Sequence, residues 1–408
     1  MIMQVLACMT GSTGLNESAE GSMNLVSLLF ALTAIYVTSK ILGELAERTG
    51  QPPVLGELIA GVLLGGSVLA LIDPSAHVLA TLAEIGVLIL LFEIGVESSL
   101  SELLKVGPQS IAVAIAGMVF PFLLGWALML LMGSSSVSAI FIGATLTATS
   151  IGITARVLAD MGKIKSSEAK IIIGAAVVDD ILGLVVLAVV KGLASQGSVS
   201  FFGVAWITLL AIGFFAAAVI LGRVAAPRLV RIASAMRVRG VLLVSSLSFA
   251  FTLAIAADAV GSATIVGAFA AGLVLAQTDR KVSIEERVRP LSDFFVPIFF
   301  ASVGAAVDVR FFNPLDADRR GSLGIAVLLL GVALLGKFAS GFFAWSRDVP
   351  LRRSAIGIGM IPRGEVGLVF AGIGLSTGVA TPDVYASIVV VVIMTTFLAP
   401  PLLRLAMK

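Results

Sequence analysis

The sequence predicts an all-α multi-pass membrane protein. It has thirteen transmembrane helices, arranged as inverted-topology six-helix repeats with two broken crossing helices. Three observations predict this. Long apolar runs recur along the 408 residues, lysine and arginine crowd into every second connection, and segments of the first half reappear in the second. Hydrophobic types make up 58% of the chain and charged types 13%, where an ordinary soluble domain is about a quarter charged. So little charge cannot cover a water-facing surface. This excludes a soluble enzyme, a disordered scaffold and a nucleic-acid binder. The single cysteine, Cys8, leaves no intrachain disulfide, and the single histidine, His77, excludes any two-histidine site.

A bilayer-spanning helix needs about 20 predominantly apolar residues. Thirteen runs qualify: Met23–Leu42, Pro53–Leu71, Val78–Val96, Gln109–Met132, Val137–Val157, Ala169–Val190, Phe201–Leu221, Val241–Val260, Ala263–Ala276, Leu291–Val307, Leu323–Trp345, Ser354–Gly374 and Val384–Leu403. The ninth and tenth are short for a full crossing. None shows the alternation of a barrel strand. Of the 27 basic residues, 21 lie in or at the edges of the connections after odd-numbered spans or in the C-terminal tail, and 4 on the other side. The remaining two, Lys337 and Arg363, lie inside spans. By the positive-inside rule the N-terminus is external and the C-terminus cytoplasmic. The protein is therefore expected in the plasma membrane, the inner membrane of a bacterium.

The repeat is visible residue by residue. Val54–Gly65 of the second span aligns with Ile265–Ala276 of the ninth at an offset of 211. Leu82, Glu84, Val87, Ile89 and Gly95 align with Leu291, Asp293, Val296, Ile298 and Gly304 at an offset of 209. Ser150-Ile-Gly152 pairs with Glu365-Val-Gly367 at an offset of 215. Apolar helices resemble one another by chance, but three pairs in one order argue against chance. Seven spans separate each pair, an odd number, so the copies enter the membrane from opposite sides. That is the build of many secondary transporters.

An ionised side chain at mid-membrane costs roughly 2.5–3.5 kcal/mol on insertion scales, so it needs a partner or a task. Asp179 and Asp180 sit at the centre of the sixth span, in Val177-Val-Asp-Asp-Ile-Leu. Neighbouring helical positions are about 100° apart, so the two carboxylates point in different directions. One can face an ion while the other meets a partner, and their titrations are coupled. Lys337, one turn from the middle of the eleventh span, is the natural counter-ion. Arg363 and Glu365 lie near the centre of the twelfth, and Glu57 and Glu84 lie in the second and third. These four are expected to be structural or gating.

Two spans read as broken. The fifth contains Gly143-Ala-Thr-Leu-Thr-Ala-Thr-Ser-Ile-Gly152, with hydroxyls clustered at mid-membrane; its partner contains Gly357-Ile-Gly-Met-Ile-Pro-Arg-Gly-Glu-Val-Gly367. Pro362 removes a helical hydrogen bond and the glycines weaken the helix. Interrupted segments at matching positions of two halves point to a transport site. Thr147, Thr149 and Ser150 offer hard oxygens which, with aspartate oxygens, suit a small alkali cation. Gly331–Lys337 mimics the start of a phosphate-binding loop. It continues with Phe338 rather than Ser or Thr and follows no strand, so no nucleotide is expected. No cofactor and no catalytic residue set is indicated.

These residues together resemble the monovalent cation:proton antiporter-2 family, most closely its NapA-like sodium/proton exchangers. The likeness rests on Val177-Val-Asp-Asp, Thr147-Ala-Thr-Ser, Pro297-Ile-Phe-Phe-Ala-Ser-Val-Gly304, Lys337 and Pro362-Arg-Gly-Glu-Val-Gly367, and it covers essentially the whole chain. The resemblance implies an NhaA-type fold, a homodimer and an elevator motion of a six-helix core against a dimerisation domain. On that pattern residues 1–22 form an external segment, and 23–100 and 239–310 the dimerisation domain. Residues 101–191 and 311–408 form the ion-translocating core, with 192–238 as linker helix and loop. It implies that Asp180 binds Na+ or Li+ in competition with H+, with Asp179 sharing the metal site and pairing with Lys337. Asp-Asp with this lysine implies electrogenic exchange, two protons per sodium, serving pH and salt homeostasis. A K+/H+ antiporter of the same family and a sodium-coupled organic-anion symporter remain the alternatives.

Overall fold

The computed structural model describes residues 24–196, 201–312, 320–346, 350–364 and 378–408, with Gly367, Phe370, Ala371 and Gly374 between the last two stretches. The external segment 1–22 and Glu365 lie outside the described residues. Among those described, every regular element is helical. Eight helices are long and apolar enough to cross a membrane, and Pro53–Leu64, Ser136–Thr145 and Thr264–Leu275 are shorter apolar helices. The protein is thus a helical, multi-pass membrane protein.

One packing group contains α1 (Leu25–Arg48), α2 (Pro53–Leu64), α3 (His77–Glu97), α10 (Val241–Ala259), α11 (Thr264–Leu275) and α12 (Lys281–Ala305). In it α3 lies along both α11 and α12, α2 along α1 and α12, and α10 along α11. The short α4 (Leu100–Lys105) leads into a second group. That group holds α5 (Gly107–Leu131), α6 (Ser136–Thr145), α7 (Ile151–Asp160), α8 (Ser167–Gln196), α13 (Arg320–Ser340), α14 (Arg353–Gly359) and α15 (Pro382–Met407). Here α5 lies along α13, α8 and α6, and α13 along α15 and α14. The long α9 (Phe201–Ala235) touches α10 and α11 on one side and α8 on the other. The groups also meet where α7 passes α2 and α3.

Two helices outrun the apolar windows by ten residues or more. The seventh span extends to Ala235 through Arg223, Arg228 and Arg231, and the tenth begins at Lys281 rather than Leu291. Lysine, arginine and glutamate are good helix formers. The charged turns therefore continue the helix past the apolar stretch.

Glycine sets the closest crossings in the first group. Gly61 of α2 lies against Ala301 and Gly304 of α12, and Gly272 of α11 lies against Phe92 and Gly95 of α3. Gly56 meets the backbone of Leu42, and Gly267 that of Leu253. Residues 61 and 272, 56 and 267, and 42 and 253 are each 211 apart, and 95 and 304 are 209 apart, so the contacts follow the same offsets as the sequence segments. A Cβ on Gly304 would collide with the Leu58 carbonyl oxygen. Overpacking of this kind costs about 1–3 kcal/mol. Gly304→Ala is therefore expected to lower the thermal midpoint of the detergent-solubilised protein by several degrees, and an unchanged midpoint would contradict the crossing.

Candidate functional site

The fifth predicted span is two half-helices. α6 ends at Thr145 and α7 begins at Ile151, with the chain between them extended or turned. α14 likewise stops at Gly359, and Met360–Gly364 is not helical. In lipid such freed backbone groups need partners inside the protein. The two breaks supply them to each other. The Ser150 N–H donates to the Pro362 carbonyl at 2.7 Å. The Thr154 hydroxyl donates to the Gly359 carbonyl at 2.7 Å, and that of Thr149 to the Met360 carbonyl at 3.2 Å. Thr145 and Thr147 donate back to their own turn, to Ile142 and Ala144.

Arg363 closes the crossing. Its buried guanidinium donates to the Leu146 carbonyl at 2.6 Å, at the C-terminal end of α6. A cation there opposes the negative end of the helix dipole. Thr396 of α15 donates to the Arg363 carbonyl at 2.7 Å and fixes the loop from behind.

Against this crossing lies the ionic centre. Lys337 of α13 is fully buried, and its Nζ donates to the Thr149 hydroxyl at 2.6 Å and to Asp179 Oδ2 at 3.3 Å. Asp179 is also buried, and its Oδ1 has no hydrogen-bond partner. Asp180 points elsewhere, as adjacent helical positions must. It lines a small pocket with Thr149, Ser150, Gly152 and Gly364 on one wall and Val87 and Ile265 on the other. The first wall belongs to the second packing group and Val87 and Ile265 to the first. The pocket therefore sits on the boundary between the groups. Removal of the Thr149 hydroxyl would leave a buried ammonium short of one acceptor, a loss of about 1–3 kcal/mol. Thr149→Val is expected to reduce sodium-dependent proton flux in vesicles roughly tenfold or more, and unaltered flux would remove this hydroxyl from the site.

The other sequence-predicted residues lie apart. The Thr147 hydroxyl is committed to Ala144. Glu84 stands on an exposed face of α3. Glu57 is buried in α2, 3.8 Å from Arg156 of α7.

The chain matches the family described as sodium/hydrogen exchanger, transmembrane, over residues 28–408. It belongs to that family. The sodium/hydrogen exchangers are transporters, and this one is 45% identical to the high-affinity Na+/H+ antiporter NhaS3 of a Synechocystis strain, over 95% of this chain and 91% of the relative. It is 37% identical to the Na+/H+-K+ antiporter GerN of Bacillus cereus, over 92% and 95% of the two chains. Its fold is similar to the solved sodium proton antiporter MjNhaP1 of Methanocaldococcus jannaschii, with a TM-score of 0.67 and 17% identity over 94% and 98% of the chains.

One group of charges is brought together only by the fold. Arg156, Asp160, Glu93, Glu97, Glu285, Arg289 and Asp293 line a cavity of about 460 Å³ at the end of the molecule where the basic connections lie. Arg156 falls at the edge of the fifth run, among the 21 basic residues assigned to the basic side. The signal available was its spacing from Asp160, four residues on, within an otherwise apolar turn. That spacing brings the side chains of a helix together.

Proposed function

We propose that this exchanger moves cytoplasmic Na+ or Li+ out of the cell against entering H+, electrogenically, by alternating access. The observation that carries the reading is the buried Lys337–Asp179 contact at the crossed half-helices, with Asp180 beside it in a pocket walled by both packing groups. A carboxylate so placed can hold a proton or a dehydrated alkali cation, one at a time. Reorienting a bare charge through low-dielectric protein is costly, which enforces coupling. In the proposed cycle a cation arriving at Asp180 displaces its proton, and Asp179 turns from Lys337 to the cation as Lys337 gives up the second proton. The sodium-loaded site then crosses outward with one net negative charge, the two-proton site returns neutral, and each cycle carries one net positive charge inward.

The basic end is assigned to the cytoplasm by the positive-inside asymmetry. The first packing group would be the static, dimer-forming part and the second the moving core. The glycine crossings that recur at the repeat offsets support a thirteen-span, inverted-repeat build. A second reading, K+/H+ exchange, has its own support in the likeness to GerN. Flux and reversal-potential measurements in proteoliposomes under imposed sodium, lithium, potassium and pH gradients separate the two. Proton movement driven by potassium but not sodium would overturn the sodium assignment, and a reversal potential independent of the proton gradient would reject antiport.

A further inference from the structure

We infer that Arg156 and Glu57 form a latch between the two packing groups, a positioning pair that holds the molecule with its basic-end cavity open. The inference rests on the alternating-access reading and extends it to residues outside the ion site.

Arg156 lies on α7, in the second group, and Glu57 on α2, in the first. Arg156 Nη2 is 3.8 Å from Glu57 Oε1, and its Nε is 2.9 Å from Asp160 Oδ1 on the same helix. All three side chains are largely buried, at 13%, 3% and 11% exposure. The backbone N–H of Val54, in the first turn of α2, faces the Asp160 carboxylate. The ion pair thus spans a seam whose other buried residues, Val54, Leu58 and Leu91 of the first group and Ile151 and Leu158 of the second, belong to one apolar cluster. Glu57 Oε2 has no hydrogen-bond partner, and among the described residues Arg156 is the cation within 4 Å of this carboxylate.

The position is as informative as the pairing. Along α3, Val87 lines the Asp180 pocket while Leu90, Ile94 and Glu97 line the large cavity. Along α7, Gly152 lines the pocket while Arg156, Ala159 and Asp160 line the cavity. Both helices run from the ion site to the same mouth, with Arg156 one turn, about 6 Å, below the pocket wall. A sliding α7 would carry Arg156 and Asp160 away together and strand Glu57 in α2 without its counter-ion. Removing one partner of a buried pair is strongly unfavourable. The latch therefore biases the protein toward the state in which the mouth is open: it opposes the crossing that leaves that state and not the return.

The test uses the full chain with Cys8→Ser and a reporter, Ala159→Cys, on the cavity wall. Labelling by a membrane-impermeant maleimide is followed in inside-out vesicles. Glu57→Gln is expected to slow labelling roughly tenfold by shifting the population away from the open-mouth state, and to raise the sodium concentration for half-maximal exchange. Arg156→Lys, which keeps the charge but not the reach, should fall between. Should Glu57→Gln fold poorly by size-exclusion profile, Arg156→Lys alone decides the matter by the same two readouts. Parental labelling rates and half-saturation in every folded variant would overturn the latch. Failure of alternating access itself looks different: the parent reporter would then react at one rate whatever sodium or pH gradient is imposed.

Discussion

Asp180→Asn is expected to abolish sodium-driven proton movement in proteoliposomes while leaving the protein folded. The asparagine keeps the shape of the side chain and part of its hydrogen bonding, but it carries neither a titratable proton nor a compensating charge. A dehydrated cation in the pocket beside Thr149 and Ser150 then lacks its counter-charge. Removing one member of a buried charge pair costs about 3–5 kcal/mol, which translates into at least about a hundredfold weaker cation binding. Because the same atom is proposed to carry the proton, both half-cycles fail together. The measurement is fluorescence of an internal pH dye after a sodium jump, with a size-exclusion profile as the folding control. Exchange at the parental rate removes Asp180 from the site.

Lys337→Ala is expected to separate exchange from charge movement. Among the described residues Lys337 is the only cation within hydrogen-bonding reach of the buried Asp179, and it also holds the Thr149 hydroxyl at the break. Without it the Asp179 carboxylate is uncompensated. It either takes up a proton or destabilises the fold by about 3–5 kcal/mol. In the protonated case the variant exchanges one proton for one cation, and the transient current on a solid-supported membrane disappears while the dye signal persists at reduced rate. A current of parental size would detach the lysine from the electrogenic step. Lys337→Arg keeps a charge but places a larger, planar group in a fully buried position. It is expected to restore thermal stability more than current.

Much of this was legible because lipid simplifies the code. A backbone with no water to bond must form helices or a closed barrel, so long apolar runs without strand alternation translate directly into helices. Asp179, Asp180 and Lys337 were conspicuous as charges where charge is expensive. The breaks at Leu146–Ser150 and Met360–Gly364 were announced by clustered hydroxyls and by Pro362. Glu84 shows the limit of that rule. It lies in an apolar run like the others, yet it stands on an exposed face of α3. Arg156 shows the converse. At the edge of its run it read as a loop charge, and folding drew it into the seam against Glu57.

What the sequence determined by itself was the helical membrane class, the alternation of basic connections, the repeat offsets and the identity of the intramembrane charges. Each follows from composition along one dimension, because hydropathy and charge are properties of a segment. Only the tertiary structure decided which charges meet. Lys337 and Asp179 are 158 residues apart, and Thr149 and Lys337 are 188 apart. Contacts at such separation depend on how whole helices cross, and the crossings are set by glycine faces such as Gly61 against Gly304 and by the mutual hydrogen bonding of two broken ends.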